Sequence, residues 1–239
     1  MKALSLDIKA SKLSRQGLFW IFLTGFYLAW ALAWIFRLGW LERVTGGWFQ
    51  DPNHDTIYWT LLKFLLWLAA PAVYLGSLYG VGLWEYLGLS RFWKKGMVWG
   101  ASLAVVMGCL YLPYYHRLGI LNQVPAPVLI LGPFLNAVLV SPLVEEVFFR
   151  GFVTRQLQGW WKSFLLVNLA AALAFALIHW VGWYFQGTLF THGSLRYTRD
   201  LVLFGFVLGY ANRFTGSLWT SLLLHMANNL YASRFWTYF

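Results

Sequence analysis

Residues 163–195 read SFLLVNLAAALAFALIHWVGWYFQGTLFTHGSL, a run of 33 without Asp, Glu, Lys or Arg. About 20 helical residues at ~1.5 Å each cross a ~30 Å hydrocarbon core. This run therefore exceeds what a bilayer demands. Working outward, residues 16–36, 64–84 and 96–116 form uncharged runs of 21 residues each, 118–144 one of 27 and 214–233 one of 20. A seventh run, 201–212, has only 12 residues, and it crosses if Arg196, Arg199 and Arg213 snorkel from its ends. In lipid the backbone must satisfy itself, and no alternating strand pattern points to a barrel. The expected fold is all-α, a polytopic transmembrane helix bundle of about seven spans.

Composition excludes the soluble alternatives. Of 239 residues, 60% are apolar, 21% aromatic and 11% charged. A soluble domain carries about 25% charge and could not bury this much apolar surface. The net charge of +10 suits cytoplasmic loops and anionic headgroups. No zinc-ribbon, helix-turn-helix or base-stacking motif accompanies it, so no nucleic-acid partner is expected. The lone cysteine, Cys109, excludes an intramolecular disulfide and a multi-cysteine metal site.

Seven spans divide the basic residues. Lys2, Lys9, Lys12, Arg15, Arg91, Lys94, Lys95, Arg155, Lys162 and Arg213 fall on one side. Arg37, Arg43, Arg117, Arg196, Arg199 and Arg234 fall on the other, with Glu42, Asp51, Asp55 and Asp200. The richer side is expected to be cytoplasmic, with the N-terminus inside and the C-terminus outside; in a prokaryote the membrane would be the plasma (inner) membrane. Ala29-Trp30-Ala31 loosely resembles a signal-peptide cleavage site, but it lies inside a continuing apolar stretch and reads as an uncleaved anchor. Residues 38–56 and 187–199 read as outer loops, and 113–127, with three prolines, as a loop or re-entrant segment. Lys63, near the start of span two, is expected to snorkel. Gly76/Gly80 and Gly205/Gly209 have small-xxx-small spacing and read as close-packing sites.

A charge at bilayer depth is expensive and asks for a reason. The exceptions gather in the second half of the chain: Glu145, Glu146 and Arg150 in VSPLVEEVFFRGF, His179 in LAFALIHWVGW, and His225 and Asn229 in SLLLHMANNLY. Three apolar helices that each carry polar groups are expected to turn them toward one another. Glu146 and Arg150 are four apart, the spacing of a same-face ion pair, while Glu145 diverges by roughly 100°. The unpaired carboxylate is the candidate for proton chemistry. His225 and Asn229 also share a face. Against this stands a plain packing role for each residue alone, and a purely structural Glu146–Arg150 pair.

Taken in order, Glu145-Glu146-x-x-x-Arg150, Phe175-x-x-x-His179 and His225-x-x-x-Asn229 resemble the successive motifs of the CPBP intramembrane proteases. That family includes the CAAX prenyl endopeptidase Rce1 and bacteriocin-processing or immunity-associated, Abi-type bacterial proteins. Gly205-Phe-Val-Leu-Gly209 and Thr215-Gly216-Ser217-Leu218 resemble the segment before the last motif. The likeness covers roughly residues 128–231. It divides one integral membrane domain into N-terminal transmembrane helices, 1–127, and a catalytic helix bundle, 128–239. The resemblance implies that Glu145 and His179 orient and deprotonate a water, that His225 and Asn229 hold the oxyanion, and that Glu146 and Arg150 support them.

The implied activity is endoproteolysis of a membrane-associated peptide or protein, without a cofactor. Zinc bound by Glu145, His179 and His225 is the alternative set, although no HExxH is present. A non-hydrolytic membrane protein, a transporter or a bacteriocin-immunity factor, is the competing class. Transporters commonly repeat their polar sites in two halves, and here the polar cluster lies in one. The site is expected to open toward the basic, cytoplasmic half.

Overall fold

The computed structural model describes residues 14–117 and 131–232. The described residues are helical and contain no strand. Among the described residues, and besides a 3-10 turn at Trp48–Gln50, eight helices follow in order: α1 Arg15–Val44 and α2 Pro52–Tyr79, α3 Leu83–Leu87, α4 Trp93–Arg117, α5 Leu131–Gln158 and α6 Phe164–Phe185, α7 His192–Thr215 and α8 Leu218–Ala232. Five of them, α1, α2, α4, α5 and α6, are long and apolar enough to cross a membrane. Residues 118–130, which hold the start of the expected fourth span and most of the proline-rich segment, lie outside the described residues, as do Lys2, Lys9, Lys12 and Arg234.

Local chemistry sets the helix ends. Ser14 caps α1 by accepting from Gly17 N at 3.1 Å. Asp51 accepts from Asn53 N at 2.8 Å, with Pro52 at the first helical position of α2. Ser163 caps α6 and Thr191 caps α7. Gly80 ends α2 and Gly216 ends α7 at φ 67° and 71°, the left-handed region that a side chain would strain.

Two expected loops are therefore shorter than the charge pattern implies. Helix α1 runs on through Arg37, Glu42 and Arg43, and α7 begins at His192. Arg37 explains the first. Glu42 holds it at 2.5 Å and Asp55 at 2.7 Å, so its charge is neutralised within the bundle end instead of requiring a solvated loop. The 12-residue run 201–212 lies inside the 24-residue α7. That helix runs antiparallel to α6: Tyr197 meets Trp183, Trp180 donates to Thr198, Asn168 donates to the Phe206 carbonyl, and Tyr210 meets Phe164.

Helix α5 is the centre. Residues 144–154 are buried without interruption, which marks a helix surrounded on all sides. Phe148 stacks on Phe26 of α1 at 4.1 Å. Phe149 meets Trp67 of α2 and Phe175 of α6 edge-on, at 5.4 and 5.6 Å. Large apolar side chains such as Leu32, Val73, Leu110 and Leu177 face outward, as lipid contact requires.

Gly205 and Gly209 do pack closely. A Cβ at Gly205 would lie 3.2 Å from the Ala172 Cβ, and one at Gly209 would overlap Asn168 Oδ1. Gly76 and Gly80 do not, since nothing lies within 4 Å of either. Their spacing reflects a helix end, with Gly80 as the cap. The same close approach joins α4 to α8, where Gly100 faces Leu223 and Gly108 faces the Tyr231 ring.

Candidate active site

Helices α1, α2, α5, α6, α7 and α8 line a cavity of about 430 Å³. Glu145, His179, His225 and Asn229 all line it. Four polar residues that the sequence places on three helices thus share one space, roofed by Trp30, Trp34 and Trp183.

The two glutamates take different positions. Glu146 is fully enclosed at 0% exposure, whereas Glu145 is 8% exposed and borders the cavity. Glu146 Oε1 lies 3.1 Å from Arg150 Nη1, the expected ion pair. It also lies 2.9 Å from His225 Nδ1. The other ring nitrogen, Nε2, is 3.8 Å from Glu145 Oε2. One imidazole therefore spans the angle by which adjacent carboxylates diverge. A π-helical turn over Glu146–Val153 widens the helix here, an irregularity frequent at functional sites.

His179 has its Nδ1 3.0 Å from the Phe175 carbonyl. A carbonyl only accepts, so Nδ1 carries a proton, and in the neutral ring Nε2 is then the acceptor. Asn229 donates from Nδ2 to the Ala137 carbonyl at 2.8 Å, and its Oδ1 accepts from Asn228 Nδ2 at 3.3 Å. One amide hydrogen of Asn229 is thus used structurally. Asn228, which helix phase alone points elsewhere, also lines the cavity.

Lys63 corrects its sequence reading. It does not snorkel to the surface but turns inward, half-buried, and lines the cavity. Its Nζ donates to Asn136 Oδ1 at 3.1 Å and to Ser141 Oγ at 2.5 Å. Ser141 in turn donates to Asn136, and Asn136 Nδ2 donates to Thr60. Sequence reasoning missed this group. The signal was present in Asp51-Pro52, a cap followed by proline that starts α2 well before the uncharged run. Lys63 then lies about 16 Å along the helix at ~1.5 Å per residue.

The cavity lining extends from Glu145, halfway along α5, past His179 to Gly182, Trp183, Gln186 and Tyr197, toward the end of α6 away from Arg155 and Lys162.

Among the described residues no group of three or more His, Cys, Asp or Glu side chains is placed to hold one metal ion, while Glu145, His179 and His225 all line the cavity.

The comparisons with known proteins fall on the same region. A family model described as type II CAAX prenyl endopeptidase Rce1-like matches residues 127–231. The uncharacterized protein YyaK of Bacillus subtilis (strain 168) is 31% identical over 108 residues, 45% of this chain and 34% of that protein. The match thus spans about a third of that relative's length. No solved structure matches the chain. The three motifs and the helices that carry them lie in the matched stretch, and residues 127–231 are similar to the Rce1-like type II CAAX prenyl endopeptidases.

Proposed function

We propose that this protein is an intramembrane endopeptidase that hydrolyses a peptide bond of a membrane-associated peptide or protein. The observation that carries the reading is the single cavity lined by Glu145, His179, His225 and Asn229. Water enters between Glu145 and the unprotonated Nε2 of His179. Glu145 takes its proton as the oxygen attacks the carbonyl carbon. Asn229 donates its remaining amide hydrogen to the developing oxyanion. His225 gives a second donor from Nε2 when its ring carries both protons, with Glu146 and Glu145 as counter-charges on either side. Glu145 then returns its proton to the leaving amine. Arg150 and Glu146 hold this arrangement without touching substrate, and no metal takes part.

We place all seven long helices across the bilayer, α7 and α8 included. The basic end faces the cytoplasm of a plasma membrane, with the N-terminus inside. The Gln186 end of the cavity lining then lies toward the outer face, and a substrate reaches the site from that side.

The test is a trap. A Glu145→Gln protein keeps the side-chain shape and removes the base. Membrane proteins and peptides retained on it, and not on wild type, are identified by mass spectrometry and then offered to the wild-type protein. Retained species that wild type cleaves support an enzyme. Retained species that it leaves intact support a non-hydrolytic binding role.

A further inference from the structure

A second pocket, of about 170 Å³, opens between α5, α6, α7 and the start of α8. Arg150, Arg155, Arg213 and Asn212 line it, and no Asp or Glu does. Arg150 is 5% exposed. Its Nη1 faces Glu146, but its Nη2 has no hydrogen-bond partner among the described residues. Asn212 uses its Oδ1 to accept from Ser221 N at 3.0 Å, and its buried Nδ2 is likewise unpartnered. Buried donors left unpaired are costly, and two of them turned to one pocket ask for an acceptor there.

The surroundings name the ligand's charge. Arg213 lies over the Phe164 ring at 4.2 Å, its cation held beside the opening. The 15-residue α8 begins at Leu218 on the pocket wall, and the first N–H groups of a helix favour an anion. The pocket also sits at the level where α5 and α7 end and α6 and α8 begin, among Lys95, Arg155, Lys162 and Arg213. Basic pockets between membrane helices at headgroup depth suit phosphate.

We infer that this pocket binds a phosphate group, bidentate on Arg150 and Asn212 with Arg213 at its mouth. The group comes from an anionic phospholipid headgroup or from free phosphate. The site shares no lining residue with the hydrolytic cavity and is linked to it through the Arg150–Glu146 pair. A bound phosphate therefore completes the partners of Arg150 and steadies Glu146, which holds His225.

Thermal unfolding of the full-length protein tests this directly. One arm titrates inorganic phosphate in neutral detergent against chloride of equal ionic strength. The other compares phosphatidylcholine nanodiscs with and without phosphatidylglycerol. The variants are Arg213→Gln and Asn212→Asp. The second keeps the acceptor for Ser221 and turns the unpartnered donor into a negative oxygen, so it stays folded and rejects phosphate. In wild type the melting temperature rises by roughly 5–10 °C when ligand exceeds its Kd a hundredfold, and both variants lose the rise. A rise with inorganic phosphate identifies a free-anion site, and one with phosphatidylglycerol alone a lipid headgroup site. No rise in either arm, or an equal rise in both variants, overturns the inference. The readout is binding, so it stands or falls independently of proteolysis.

Discussion

The His225 imidazole is hydrogen-bonded to Glu146, at 2.9 Å from Nδ1 to Oε1, and only faces Glu145, at 3.8 Å from Nε2 to Oε2. The carboxylate with an Arg partner on its own helix thus also fixes the histidine of the last helix. Glu145 is left without such a tie and stands at the cavity edge.

This relationship makes Glu146 the more important of the two for stability. Glu146→Ala leaves Arg150 charged and unpaired at depth, a change that costs about 3–5 kcal/mol. Thermal unfolding in detergent should show the loss, with Glu145→Gln melting near wild type. Equal melting of Glu146→Ala and wild type would remove the supporting role.

Asn229 is expected to act on turnover. Removing one oxyanion donor typically lowers kcat by about 10²–10³. Asn229→Ala should show that loss with KM little changed. Asn228→Ala removes a donor that orients Asn229 and should lose about tenfold or less. A stable Asn229→Ala protein with wild-type kcat would end the assignment.

Lys63 offers a third measurement. Lys63→Met keeps the stem and removes the donors to Asn136 and Ser141. Two acceptors beside the cavity lose a charged partner, an effect of about 1–3 kcal/mol. We expect kcat/KM to fall by roughly ten- to a hundredfold while the protein still inserts. Full activity in that variant would make Lys63 an anchor and nothing more.

The paired glutamates, the two histidines and Asn229 were legible because polar residues in long apolar helices have few places to go but inward. The Glu146–Arg150 pair followed from spacing alone. What helix phase could not supply was the reach of an imidazole, whose two nitrogens join carboxylates that diverge around α5. Lys63 was missed because an uncharged run marks where lipid-compatible sequence begins, which is not where the helix begins. The extent of the cavity depends on which neighbours line it, and helix phase on α5 does not give them: the lining reaches Gly182, Trp183 and Gln186 at the far end of α6.

Chelation tests the proposed independence from metal. Purified protein held in excess EDTA or phenanthroline should keep its rate, and elemental analysis should find no stoichiometric zinc. Activity lost to the chelator and restored by zinc would recast Glu145, His179 and His225 as ligands.

The central claim is that Glu145 activates the water that cuts the bond. The direct measurement is single-turnover cleavage, in ¹⁸O-labelled water, of a substrate recovered from the Glu145→Gln trap, with wild-type and Glu145→Gln proteins of matched melting temperature. The account predicts one labelled oxygen in the new carboxylate from wild type and no detectable product from the variant. A folded Glu145→Gln protein that releases labelled product at a rate near wild type would contradict it.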